Sequence, residues 1–174
     1  SHFVYLAGKK LRPLWSAIQS IRPQPRPQLD VDEALQNLDA NADANFIRMV
    51  ERNALILRHE GIVPVFALQP DLLFEQHKIL TEFEQERLAE IIKSKPVNYP
   101  QFKNRARPMV AEKLRQVTAD VGASFIDLTD IFGAIQDDAF TDDCHLTPLA
   151  NRTMAGYIGE RIVPLIIAAL SPAR

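Results

Sequence analysis

The chain has one cysteine, Cys144, among its 174 residues. That excludes an intrachain disulfide and leaves no second thiol for a cysteine-based zinc site. A basic excess is missing as well: 20 Lys and Arg stand against 22 Asp and Glu, a formal charge of −2. Nucleic acid, whose phosphates call for net positive charge, is therefore not expected as the main partner. The short basic run KNRAR, Lys103 to Arg107, reads as a solvated face. No apolar run reaches the roughly 20 residues that span a bilayer. The longest, Ile162 to Leu170, is interrupted by Pro164, so no transmembrane segment is expected. Ser1 is not an initiator methionine, and the lack of a leader peptide leaves the compartment open.

What is present suits one soluble-type domain. The chain is 47% hydrophobic and 24% charged, ordinary values for a packed core. Its first segment, SHFVYLAGKKLRPLWSAIQS, has apolar residues spaced for one short helix, and three prolines, Pro23, Pro25 and Pro27, then break it. Residues 1–29 therefore read as an N-terminal segment ending in a proline-rich linker. From Asp30, which can cap, Ala34, Leu35 and Leu38 share a helix face. After a break near Asn41, Phe46, Ile47, Val50, Ala54 and Leu57 recur at helical spacing up to Gly61.

Ile62 to Pro70 is nearly all apolar, with β-branched and aromatic residues at its centre, and reads as a buried parallel strand. A helix follows from Thr81, which with Glu84 has capping-box spacing. The stretch KSKPVNYPQF reads as a loop, with another helix from about Pro108 to Val121, ended by Gly122. SFIDL, Ser124 to Leu128, is a second short strand. The last helix starts with Thr147 as cap and Pro148 at its first position. Helices alternating with strands imply an α/β sandwich around a parallel sheet, yet parallel sheets carry several strands and only two are visible.

The stretch with most chemistry lies after the second strand, in the region where open parallel sheets gather their ligand sites. Asp142 stands three residues before His145. A carboxylate at that spacing can fold back onto imidazole Nδ1–H and leave Nε2 outward as a general base. Asp143 is the weaker candidate for partner. Cys144, next to the histidine, would point away from it, which argues against a thiol nucleophile. A metal site from Asp142, Asp143 and His145 would need a further ligand, and His2, His59 and His77 lack ligand spacing. Gln69 and Asp71 leave the first strand and are placed to line a substrate cleft, with ordinary turn chemistry as the equal alternative. Asp127 and Asp130, at the end of the second strand, read as turn or cap residues.

TDDCHLTPLANRTMA, Thr141 to Ala155, resembles the C-terminal signature of the SGNH (GDSL-type) hydrolases: Asp142, His145, Leu146, Thr147 and Asn151 match it in order. The VPVFALQP and SFIDL strands fit the same family's second half, so the resemblance covers about residues 30–174. It implies a flavodoxin-like three-layer α/β sandwich and serine ester hydrolysis, as an esterase, lipase or deacetylase acting on small-molecule, carbohydrate or lipid esters. It implies further that His145 is the base and Asp142 its orienter, and that no cofactor is needed. Ala150 replaces the glycine usual beside Asn151. No Gly-Asp-Ser segment and no Gly-x-Asn oxyanion segment occurs, and none of Ser1, Ser16, Ser20, Ser94, Ser124 and Ser171 has a nucleophile context. The serine and the N-terminal strands are thus expected outside these 174 residues, and the chain alone is expected to be inactive. The alternative is a catalytically silent binding or assembly module that keeps the fold.

Overall fold

A computed structural model describes residues 25–170. The expected N-terminal helix and Ser1, Ser16, Ser20 and Ser171 lie outside the described residues. Two strands, β1 (Val65–Leu68) and β2 (Ser124–Asp127), pair in parallel, Val65 opposite Ser124 and Leu68 opposite Asp127. Around them lie α1 (Val31–Asn41), α2 (Arg48–His59), α3 (Glu82–Ser94), α4 (Tyr99–Asp120) and α5 (Pro148–Leu170). The chain is therefore mixed α/β with a small parallel sheet.

Because side chains alternate along a strand, the sheet has two different faces. Phe66, Leu68 and Phe125 pack with Val50 of α2 and Val110, Leu114 and Val117 of α4. On the other face, Val65 joins Ile162, Leu165 and Ile166 of α5 around an apolar cavity of about 160 Å³. Helices thus stand on both sides of the strand pair. A second core, Leu72, Phe132, Ala139, Phe140 and Ala150, lies under the loops that leave the strands.

Local chemistry sets most boundaries as expected. Asp30 accepts from Asp32 and Glu33 N–H at the start of α1, and Thr81 and Glu84 form a reciprocal capping box on α3. Gly61 and Gly122 end α2 and α4 with φ of 74° and 64°, a region that costs other residues dearly. A side chain at Gly122 would also meet the Arg58 guanidinium, which donates to Val121 O.

Four expectations change. The break near Asn41 is a π-helical segment, Ala42–Ile47, that carries α1 into α2 without interruption. Helix α4 starts at Tyr99 rather than near Pro108: Pro100 occupies its first turn, and Pro108 sits inside it. Burial of Ala106, Ala111 and Leu114 along one face outweighs the N–H that Pro108 lacks. The part of the proline-rich stretch that is described does not hang free. Arg26 donates to Ile92 O, Pro27 O accepts from Val97 N–H, and Leu29 exchanges two hydrogen bonds with the Asn98 side chain. Finally, Pro164 does not interrupt the last apolar run. Helix α5 is continuous over 23 residues and contains an 18-residue stretch with a mean hydropathy of 1.4, long and apolar enough by composition to cross a bilayer. Ala150, in the first turn of α5, is fully buried in the second core, whereas none of the helix's apolar stretch is buried.

Candidate active site

Residues 139–147 form a tight hairpin at the carboxyl ends of both strands. Thr147 N–H donates to Ala139 O at 2.9 Å and Thr141 N–H to His145 O at 2.8 Å, and Phe140 pairs antiparallel with Leu146. Asp142, Asp143 and Cys144 are the tip. Below it, Thr147 caps α5 through Ala150 N–H, and Asn151 Nδ2 donates to Leu146 O, fixing the hairpin to the helix.

Within the tip, Asp142 Oδ1 accepts the N–H groups of Cys144 at 3.0 Å and His145 at 2.8 Å. Its other oxygen, Oδ2, lies 2.7 Å from His145 Nδ1. The His145 and Cys144 N–H groups and the imidazole together hold the Asp142 carboxyl down at about 2. The ring is therefore oriented by a permanent anion. His145 Nε2 has no partner among the described residues, and the side chain is 75% exposed. An imidazole so held presents its Nε2 edge to an incoming hydroxyl.

The loop after β1 grips this hairpin from the side. Gln69 Nε2 donates to Cys144 O at 3.1 Å, and Leu72 N–H donates to Asp143 O at 2.8 Å. Gln69 thus stands at the tip. Asp71 is engaged elsewhere: one oxygen pairs with Lys103 Nζ at 2.7 Å and the other caps Leu73 N–H. Asp143 offers its backbone oxygen to the loop, and its carboxylate stands beside the Cys144 thiol. Burial and the charges of Asp143, Asp142 and Asp71 raise the thiol's pKa, which disfavours a thiolate nucleophile.

Cys144 does not point away from His145, as its place in the sequence had suggested. The turn is tight enough that Sγ lies 4.0 Å from His145 Nδ1 on the Asp142 side. The Asp142 carboxylate, Cys144 Sγ and His145 Nδ1 all fall within 4.8 Å of one another.

Two further groups were not legible in the sequence. Glu84, fully buried, pairs with buried Lys78 at 2.8 Å and accepts Ala139 N–H at 2.7 Å and Phe140 N–H at 3.1 Å, so it anchors the hairpin's first strand. Burial alone would raise the Glu84 carboxyl, but Lys78 and the N–H groups of Thr81, Ala139 and Phe140 outweigh it and hold it low. The second group is centred on Asp130, whose carboxylate takes the N–H of Gln76 and His77, the His77 ring and, at 3.6 Å, Arg107. Glu75 meets the same carboxylate, and burial followed by the shared hydrogen bond raises its pKa to about 7. Arg107 also donates to Thr129 Oγ1 and Phe74 O. This second Asp–His pair stands beside a cleft of about 390 Å³ between the loop after β1 and α4.

Among the described residues the serines are Ser94 and Ser124. Ser94 Oγ donates to Ile91 O at the end of α3, and Ser124 opens β2, at the opposite end of the strand from His145. Neither is placed to give its proton to Nε2. No protein-family model, no curated protein and no solved structure matches the chain.

Proposed function

We propose that Asp142 and His145 are the orienting and base members of a Ser–His–Asp triad in an ester hydrolase of the SGNH type. The observation that carries this reading is the 2.7 Å Nδ1 to Oδ2 pair with Nε2 open, mounted beyond the carboxyl ends of parallel strands. The nucleophilic serine and its oxyanion donors come from polypeptide outside these 174 residues. The finer fold that goes with this reading is a flavodoxin-like three-layer sandwich, in which β1 and β2 are the last strands of a longer parallel sheet.

In the reaction, His145 Nε2 takes the proton of the serine hydroxyl as its oxygen attacks the ester carbonyl. Asp142 holds the Nδ1–H tautomer and stabilises the imidazolium. His145 then gives the proton to the departing alcohol, and the acyl-serine is opened by water through the same two steps reversed. No step calls on a metal or an organic cofactor.

The test uses a polypeptide that contains this sequence together with its upstream reading frame. A fluorophosphonate probe should label one serine upstream of Ser1, and His145→Ala should cut nitrophenyl-ester turnover by at least about a thousandfold. The 174-residue chain alone should neither be labelled nor turn over ester. Turnover that survives His145→Ala, or a longer polypeptide with no labelled serine, sinks the hydrolase reading in favour of a silent binding module.

A further inference from the structure

The hairpin tip carries three different metal-ligating atoms on one side: a carboxylate oxygen of Asp142, Cys144 Sγ and His145 Nδ1, all within 4.8 Å of one another. We propose that this tip binds a divalent cation of the zinc class, and that the ion and the catalytic proton relay exclude each other. The inhibitory half of this proposal rests on the hydrolase reading. The binding half does not.

The donor set selects the ion. Thiolate and imidazole favour zinc and its neighbours in the first transition row, whereas calcium and magnesium require a shell of oxygens. Tetrahedral zinc holds its nitrogen, oxygen and sulfur ligands roughly 3.3 to 3.7 Å apart, given bonds of about 2.0 to 2.3 Å. The 4.0 Å from Sγ to Nδ1 must close by a few tenths and the 2.7 Å from Oδ2 to Nδ1 must open. Rotation of the His145 ring, which is 75% exposed, supplies both movements. Asp142 Oδ1 meanwhile keeps its two backbone N–H donors, which orients Oδ2 toward the ion as an outer shell orients ligands in built sites. Three ligands leave a fourth position to water.

The proton balance makes the ion a switch. Coordination releases the Cys144 thiol proton to solvent. It also takes the Nδ1 lone pair, so the imidazole's single proton moves from Nδ1 to Nε2. An Nε2 that carries hydrogen cannot accept one from a hydroxyl. Asp142, bound to the ion, no longer orients the ring either.

Cobalt(II) added to the purified 174-residue chain is the direct probe. The expected spectrum has visible bands of four-coordinate cobalt and a sulfur-to-cobalt charge-transfer band, at one ion per chain, abolished by zinc and unaffected by magnesium. Cys144 is the only cysteine, so Cys144→Ser and Cys144→Ala must both lose the charge-transfer band, and His145→Ala must weaken binding at least tenfold. An aquo-cobalt spectrum, or one ion shared by two chains, overturns the site. In the longer, metal-free polypeptide, zinc should inhibit ester turnover, and Cys144→Ser should raise the inhibiting concentration tenfold or more. Cobalt binding as expected with turnover indifferent to zinc overturns the switch. A metal-free polypeptide without any turnover overturns the hydrolase reading and leaves the ion site to the cobalt result alone.

Discussion

The buried carboxylate of Glu84 accepts the N–H of Phe140 at 3.1 Å, which places one end of α3 directly under the strand that leads into Asp142. Ala139 N–H, at 2.7 Å, shares the same oxygen, and Lys78 neutralises the other at 2.8 Å. Both ionic side chains are 0% exposed. Removing one partner of such a pair strands a charge away from water, at a cost of about 3–5 kcal/mol. Glu84→Gln and Lys78→Met should each lower unfolding free energy by about that amount in urea titrations. The double variant should lose distinctly less than the sum, because neither charge is then left alone.

Glu75 makes stability depend on pH in a direction opposite to most carboxylates. Its pKa rises from 4.5 to about 7 in the folded chain, through burial and then the hydrogen bond to Asp130. The folded state therefore binds a proton that the unfolded state has released, and stability falls as pH climbs from 4.5 to about 7. Asp130 is shifted the other way, despite burial, by Glu75, the Gln76 and His77 N–H groups and Arg107. Its contribution is lost only on acidification below the ordinary carboxylate range. Urea midpoints measured across the interval should decline toward neutrality in the parent chain and lose that slope in Glu75→Gln. A slope unchanged by the substitution would remove Glu75 as its source.

How much of this was legible depended on sequence distance. Asp142 with His145, Thr81 with Glu84, and Thr147 with Pro148 are local pairs whose spacing is itself the geometry, and each stands in the structure as its spacing implied. Glu84 with Ala139 is 55 residues apart and Asp130 with His77 is 53 apart, so nothing in either neighbourhood pointed to the other. Glu84 was visible only as a capping residue, because the same carboxylate serves the cap with one oxygen and the hairpin with the other. Pro108 misled for the opposite reason. Local propensity argued for a helix start, and burial of Ala106, Ala111 and Leu114 on either side of it overrode that. Cys144 was misplaced because a rule for extended neighbours fails in a turn held by two bonds to one carboxylate oxygen.

The outer part of α5 and the residue before β1 that faces it expose apolar side chains. Val163, Ile166 and Leu170 are 52%, 50% and 78% exposed, and Val63, just before β1, lines the same apolar cavity as Ile166 and Leu170. β1 also pairs on one edge only among the described strands. A surface of this kind binds apolar dyes and associates with itself. The chain should enhance anilinonaphthalene sulfonate fluorescence and sediment faster with rising concentration. Ile166→Lys with Leu170→Lys should reduce both effects while leaving the far-ultraviolet circular dichroism unchanged. A parent chain that stays monomeric and dark with the dye contradicts the exposure of this face.

The tautomer of His145 can be read without any enzymatic activity. Asp142 Oδ2 at 2.7 Å accepts from Nδ1, so the neutral ring carries its proton there and leaves Nε2 bare. Nitrogen-15 shifts of the neutral imidazole should show a protonated Nδ1 and an unprotonated Nε2 in the parent chain. Asp142→Ala removes the acceptor, and the proton should redistribute to Nε2. Asp143→Ala should leave the tautomer as it is, because that residue's link to the loop runs through its backbone oxygen. A tautomer that follows Asp143 instead would move the orienting role one residue along. One that follows neither would mean that the His145 ring is not held, and a ring that is not held cannot serve as the base of a triad.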